Sequence, residues 1–245
     1  MPSSRHERAA RKAGYRTIAG LDEAGRGALF GPVFAAAVVL DLERPIRGLD
    51  DSKQLAPERR EVLARRIRER SLAWAVGAAD AFEIDRVNIL QASRLSMQRA
   101  LDRLSVHCDY LLIDAVRLDV AIPQLPLIHG DAVCFSIAAA SILAKVARDA
   151  ALDAWDRVFP EYGFARHKGY GTPDHLEALR RFGPTPLHRF SFEPVRDAGP
   201  SPAGTTMTPP ASGVMRWFGY PRQQMANSVP SRSATSQQAE LFACL

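Results

Sequence analysis

Short apolar segments of strand length alternate with longer segments of helical spacing through residues 14–196, and few architectures accommodate that order. Residues 15–22 and 33–40 read as two strands, joined by a turn rich in glycine at Gly25, Gly27 and Gly31-Pro32. Residues 57–70 predict a helix. Pro57 suits a first helical turn, and Val62, Leu63 and Ile67 stripe an otherwise charged surface. A third strand is expected over 72–79. A single helix is expected over 84–104, where Ile89, Leu90, Leu95, Met97, Leu101 and Leu104 recur at helical intervals. Tyr110-Leu111-Leu112-Ile113 makes a short buried strand, 109–114, that closes on an acid. Pro123 and Pro126 break the chain before a long alanine-rich helix, 131–159. A last helix, 173–182, opens on Thr172 as N-cap and closes at Gly183. The order β-β-α-β-α-β-α-α predicts an α/β fold: a mixed β-sheet flanked by helices, with at least one antiparallel pair among the first strands.

Composition sets the boundaries. Of the 49 residues from 197 to 245, 20 are Pro, Gly, Ser or Thr, and no apolar periodicity runs through them. Such a segment buries too little surface to offset its ordering entropy, so 197–245 is expected to be a disordered tail. A disordered basic N-terminus is expected over 1–13, which leaves one domain, 14–196. With 47% hydrophobic and 24% charged positions, the chain is neither collagen-like nor wholly disordered. The longest apolar run, 33–40, is far shorter than the roughly 20 residues that span a bilayer. The N-terminus lacks the apolar core of a secretory signal. Cys108, Cys134 and Cys244 form no CxxC pair, as suits free thiols in a reducing compartment. A cytoplasmic protein without a membrane partner is therefore expected. The net charge of +5 permits a polyanionic partner without requiring one. Only four lysines stand against 28 arginines, which singles out Lys53, Lys145 and Lys168 as places suited to a compact ammonium rather than a planar fork.

Four acids fall at element ends. Asp22 and Glu23 stand where the first strand stops, Asp114 closes the 109–114 strand, and Asp131 opens the long helix after Gly130. Residues at strand ends of α/β sheets line the ligand crevice. Singly, each has an ordinary explanation as a turn, strand-end or helix-start residue. Together they do not, because Asp114 emerges from a fully apolar run and adjacent acids in an apolar frame resist ionisation. A divalent cation relieves that cost, and an oxygen-only set suits Mg²⁺ or Mn²⁺ rather than Zn²⁺. Two cations on such a cluster serve an in-line phosphodiester displacement.

Two further segments accompany the acids. Gly25-Arg26-Gly27 allows close backbone approach to a ligand, although a bare Gly-x-Gly is usually a tight turn, and neither a Walker A loop nor GxGxxG is present. Residues 162–172 interleave aromatic, basic and glycine positions, a pattern that serves either a surface loop or the gripping of phosphate and sugar.

From residue 18 to 195 the chain resembles ribonuclease HII. The resemblance rests on Asp22-Glu23-Ala24-Gly25-Arg26-Gly27 with Gly31-Pro32-Val33, on Asp51-Ser52-Lys53, and on Ile113-Asp114. It continues through Gly130-Asp131, Ser136-Ile137-Ala138-Ala139-Ala140-Ser141-Ile142 and Ala144-Lys145-Val146. His167-Lys168-Gly169-Tyr170-Gly171-Thr172 and His188-Arg189-Phe190-Ser191-Phe192 complete it. It implies a ribonuclease H-like sheet with a helical C-terminal part. It also implies an endonuclease that cuts RNA in RNA/DNA hybrids and 5′ of single ribonucleotides in duplex DNA. The products carry 3′-hydroxyl and 5′-phosphate ends, and the cellular roles are primer removal and ribonucleotide excision repair. Asp22, Glu23, Asp114 and Asp131 match the family's catalytic, metal-holding acids, which take Mn²⁺ or Mg²⁺, two per site. Gly25, Arg26 and Gly27 match the segment whose backbone reads the ribose 2′-hydroxyl, the group that tells RNA from DNA. Tyr170 matches the tyrosine that stacks on the deoxyribose beyond the junction. Lys53 and Lys168 fall inside the motifs and are assigned to substrate binding with them, their individual roles open between phosphate contact and structural pairing. A monomer is expected.

The chain departs from the family pattern at Ala28, where Pro is usual, at Phe30, where a small residue is usual, and at His129, commonly Lys. Val133 and Cys134 also replace polar or basic residues. None of these touches the acids, so activity is expected to persist. At the far end, Gln238-Ala239-Glu240-Leu241-Phe242 resembles the peptide by which bacterial repair proteins dock on the sliding clamp. Two other readings compete. A non-catalytic nucleic-acid binder has no reason to gather four carboxylates beside a polyanion. A different two-metal nuclease of the same superfamily has no need of the ribose-reading segment or Tyr170.

Overall fold

A computed structural model describes residues 2–199. In chain order these form helix α1 (Arg5–Lys12), strands β1 (Ile18–Ala24) and β2 (Val33–Val39), helix α2 (Pro57–Arg70) and strand β3 (Ala73–Ala79). Helices α3 (Ala81–Val87) and α4 (Ile89–Asp102) follow, then strands β4 (Tyr110–Asp114) and β5 (Gln124–Leu127). The last part holds the one-turn helix α5 (Gly130–Val133), the long α6 (Phe135–Val158), α7 (Phe164–His167), α8 (Pro173–Phe182) and α9 (Glu193–Asp197). Among the described residues no helix is long and apolar enough to cross a membrane.

The expected mixed sheet forms, in the order β3-β2-β1-β4-β5. β1 pairs antiparallel with β2, β2 antiparallel with β3, and β4 runs parallel to both β1 and β5. Period-2 alternation sorts the side chains. Ala36 and Val38 of β2 pack with Leu63 and Ile67 of α2 and with Ala139, Ile142 and Leu143 of α6. Ala35, Ala37 and Val39 face the other way, with Ala19, Leu21, Leu111, Ile113 and Met97 of α4. The result is helix, sheet, helix, with α6 laid so closely on β1 that a Cβ at Gly20 would come within 2.2 Å of the Ser136 carbonyl carbon.

Several boundaries differ from expectation for identifiable reasons. The helix read over 84–104 is two helices. Asp80 and Glu83 form a reciprocal capping box that starts α3, and Asn88, at φ 69°, ends it and caps α4. The helix read over 131–159 is also split, because Cys134 is extended between α5 and α6. Pro126 lies inside β5, an edge strand, where a missing N–H costs little.

The expected disorder of 1–13 is corrected. Residues 5–12 are helical and their docking is specific: Glu7 is buried and accepts hydrogen bonds from the Ser136 N–H and hydroxyl, both at 2.7 Å, and from the Cys134 thiol at 3.2 Å. Its carboxyl sits at the start of α6, where unpaired N–H groups gather. Glu7→Ala would strand those donors in a dry site. The expected cost is about 2–3 kcal/mol, read as a Tm lowered by about 2–4 °C per kcal/mol. An unchanged Tm would mean that the Glu7 carboxylate does not hold the start of α6. At the other end α9 runs one residue past the expected domain limit, and most of the expected tail, including Gln238 to Phe242, lies outside the described residues.

Candidate active site

The register of the sheet builds the site. The β1–β4 pairing ends at Leu21 and Ile113, so the next residues of the two strands, Asp22 and Asp114, stand side by side there. Asp22 is still paired with Ala36 of β2 and Asp114 with Leu127 of β5, while β1 runs on to Ala24, two residues past the expected strand end. Ile18 and Leu112 pack under Ile137 of α6, so by alternation Asp22 and Asp114 share that helix-covered face. The backbone N–H of Gly130 donates to Asp114 Oδ1 at 2.7 Å and thereby brings Asp131, next in the chain, to the same place. Lys53, from the loop before α2, donates through Nζ to Asp131 Oδ2 at 3.4 Å, with Asp51 Oδ1 at 3.8 Å. Glu23 is tied to Arg26, whose Nη1 lies 3.3 Å from Glu23 Oε1.

These acids feel one another. Burial, then the charges of Glu23 and Asp114, holds the Asp22 carboxyl well above the ordinary carboxylate value, with a Ser141 hydrogen bond pulling the other way. Burial also raises Glu23 against the opposing pull of Arg26. Burial and then Asp51 raise Asp131 against the pull of Lys53. Glu23 Oε2 is buried with no hydrogen-bond partner. Among the described residues no three His, Cys, Asp or Glu side chains stand as a ready-made metal cage. Asp114, Asp131 and Glu23 instead each rest on a donor of their own. The donor set is nonetheless wholly oxygen, mutually repelling and left with an orphan, which fits a hard divalent cation.

The segment after β1 is held from both sides. Leu29 N–H donates to Gly169 O at 2.8 Å, Ala28 bridges Tyr170, and Gly31 N–H donates to Leu187 O at 2.9 Å. Arg189, fully buried, donates to the carbonyls of Arg26 at 2.8 Å and Gly31 at 2.9 Å. Gly25, at φ 96°, is needed twice over, since its Cβ would also fall 2.0 Å from Arg148 Nε. Tyr170 is 39% exposed beside Gly27, whose Cβ would lie 3.9 Å from the ring. Phe30, one of the departures from the family pattern, is buried against Phe164, with ring centroids 3.8 Å apart. Behind Tyr170, its carbonyl lies 3.0 Å from His175 Nδ1, and His175 Nε2 lies 3.1 Å from His188 Nε2.

Asp22, Glu23, Asp114, Asp131 and Lys53 are thus brought together, with Gly25, Arg26, Gly27 and Tyr170 beside them. Lys168 does not join them through its ammonium, which pairs with Asp153 of α6. Lys145 pairs with Asp149 at 2.7 Å, which also meets Arg60 at 3.5 Å. Sequence reasoning missed Arg148, Arg189 and the His175–His188 contact. His188 and Arg189 lay in a segment that carried the resemblance and His175 in the helix expected over 173–182, without a role being read for any of them, and nothing in a chain with 28 arginines marked Arg148.

Comparison with known proteins bears on the family and the fold. The family model for ribonuclease HII matches residues 19–195. Ribonuclease HII of Solibacter usitatus (strain Ellin6076) is 65% identical over 190 residues, spanning 78% of this chain and 83% of its own. That of Koribacter versatilis (strain Ellin345) is 55% identical over 193 residues, 79% of this chain and 76% of its own. The crystal structure of the ribonuclease H2 from Pyrococcus horikoshii OT3 superposes with a TM-score of 0.64 at 27% identity, covering 75% of this chain and 97% of that one. With the mixed sheet, the acids at its strand ends and these matches agreeing, the chain belongs to the ribonuclease HII family, hydrolases that act on RNA in RNA–DNA hybrids.

Proposed function

We propose that the cleft hydrolyses RNA within RNA/DNA hybrids and cuts 5′ of single ribonucleotides in duplex DNA, using two divalent cations, Mg²⁺ or Mn²⁺. Asp22, Glu23, Asp114 and Asp131 would hold them. The observation that carries this is the gathering of buried, mutually repelling carboxyls with the Glu23 Oε2 orphan among them. The bound cations supply Lewis-acid stabilisation of the charge that builds up at the scissile phosphate. The oxygen of a water bonds to phosphorus and the bond to the 3′ oxygen breaks. That oxygen keeps the electron pair and takes up a proton, which leaves a 3′-hydroxyl and a 5′-phosphate. Lys53, with its side chain 77% exposed at the rim, offers an ammonium to a backbone phosphate. The 25–27 backbone, freed of side chains at Gly25 and Gly27, reads the ribose 2′-hydroxyl, and the Tyr170 ring stacks on the following sugar. A second 2′-hydroxyl would crowd that ring, so a ribose-to-deoxyribose junction is preferred.

The test is a duplex carrying one ribonucleotide, incubated with Mg²⁺, with Mn²⁺ and with EDTA. A single incision 5′ of the ribonucleotide, with 3′-hydroxyl and 5′-phosphate ends and lost in EDTA, is expected. Cleavage that persists in EDTA, or that leaves a 2′,3′-cyclic phosphate, overturns the reading.

A further inference from the structure

Arg148 lies in α6 with no exposed surface, and among the described residues it makes no ion pair. One of its amino groups, Nη2, donates to the Lys168 carbonyl at 2.7 Å, while Nε and Nη1 are buried without hydrogen-bond partners. A buried guanidinium so poorly served is costly and calls for another source of stabilisation. Two neighbours supply it. The guanidinium carbon stands 5.1 Å from the centroid of the Tyr170 ring, a cation–π distance. Its Nε edge fills the space that any side chain at residue 25 would need.

Arg148 therefore touches both halves of the reading surface from beneath. It pins the carbonyl of Lys168, which sits at φ 50°, an uncommon conformation for a residue with a side chain, two positions before Tyr170. It supports the Tyr170 ring directly and packs under the first glycine of the 25–27 segment. Arg189, the other buried arginine here, grips only the carbonyls of Arg26 and Gly31 and lies over Phe192. Being wholly buried, Arg148 cannot itself reach a substrate.

We propose that Arg148 is a positioning residue that sets the Tyr170 ring against the 25–27 segment, and that it thereby determines the preference for a ribose-to-deoxyribose junction over a uniform hybrid. This rests on the junction reading of Tyr170 given above, so the experiment separates the two. The full chain and its Arg148→Met, Arg148→Lys, Tyr170→Ala and Arg148→Met/Tyr170→Ala variants are compared in Mg²⁺. The substrates are a duplex with one ribonucleotide and a duplex with a uniform RNA strand. A cation–π contact plus a charge-assisted hydrogen bond acts on the scale of about 10–100-fold. Arg148→Met is expected to lower kcat/KM on the first duplex by that factor, and by less than about threefold on the second.

Arg148→Lys, which keeps a cation but not the fork, should recover part of the ratio, and it carries the test if Arg148→Met does not fold. In the Tyr170→Ala background, Arg148→Met should not change the ratio further. An equal fall on both substrates, or a full effect of Arg148→Met without the tyrosine ring, reduces Arg148 to a structural residue and overturns the proposal. A Tyr170→Ala chain whose ratio is unchanged overturns the junction reading itself, and the proposal with it.

Discussion

Asp22→Asn is expected to abolish cleavage and, in the absence of divalent cations, to raise the melting temperature. The two effects have one cause. Asp22 is buried, and Glu23 and Asp114 add their charges to the cost of ionising it. Its folded-state pKa therefore lies above the unfolded value, so above that raised pKa the ionised group destabilises the fold. Each unit of displacement costs about 1.4 kcal/mol at neutral pH. Asparagine keeps an oxygen to accept the Glu23 N–H that now reaches Asp22 Oδ1 at 2.7 Å, and it removes the charge. In a domain of this size each kcal/mol recovered raises Tm by about 2–4 °C. As pH falls toward the ordinary carboxylate range, native Asp22 takes up its proton and the advantage of the variant fades. Millimolar Mg²⁺ should also close the gap, because binding stabilises only the chain that retains the carboxylate. Cleavage should fall by roughly 10²–10³-fold or more, the scale on which one lost charge-stabilising group acts. Thermal unfolding with and without Mg²⁺, beside the cleavage assay, reads both effects. A variant that melts lower than the native chain without metal, or that cuts at the native rate, would refute this account of the cluster.

What could be read in advance depended on how local the physics was. Helix α8 carries its own signals: Thr172 caps it by accepting from the His175 N–H, Pro173 opens it and Gly183 ends it, so both limits were legible. The same holds for α2, with Pro57 at its start. The acids were legible because Asp114 ends an apolar run and can only emerge from the core beside another strand. That it emerges beside Asp22 is a matter of parallel register, which no stretch of either strand announces. Strand β5 was hidden by Pro126, since only its place at the sheet edge makes a proline tolerable there. Helix α1 is polar on its surface, and its attachment combines buried Ala10, packed with Ile18, Leu112 and Ile137, backbone hydrogen bonds of Ser3 to Val133 and Phe135, and the Glu7 carboxylate meeting a helix start 129 residues away. Lys168 appeared ready for substrate until the turn of α6 set Asp153 beside it. In each case the missing information was a partner distant in sequence.

The histidines behind Tyr170 give the second large effect, a stability that falls as the solution is acidified from pH 7 to pH 5. His188 Nδ1 accepts from the Thr185 N–H at 2.9 Å, so in the neutral ring the proton sits on Nε2 and points to His175 Nε2. His175 then carries its proton on Nδ1 and donates to the Tyr170 carbonyl. A proton added to His175 goes to Nε2 and sets two donors against each other at 3.1 Å, and one added to His188 goes to Nδ1 and opposes the Thr185 N–H at 2.9 Å. Burial pushes His175 down to about 4, and burial with the neighbouring His175 pushes His188 down to about 3. The unfolded rings titrate near 6.5, so between there and pH 4 the unfolded chain binds more protons than the folded one, and stability declines as pH falls. Each ring contributes about 2 kcal/mol of that decline by pH 5. The raised carboxyls of Asp22, Glu23 and Asp131 act in the opposite sense, so the native curve alone mixes the two. His188→Asn isolates the histidine part: its side-chain oxygen still accepts from Thr185, and one titrating ring is gone. The variant should be the less stable protein at pH 7, and the gap should narrow by about 2 kcal/mol at pH 5. Denaturant unfolding at the two pH values measures it. Parallel stability curves would show that the ring does not enter the fold neutral, and the hydrogen-bond relay to Tyr170 would have to be drawn with a proton shared between the histidines.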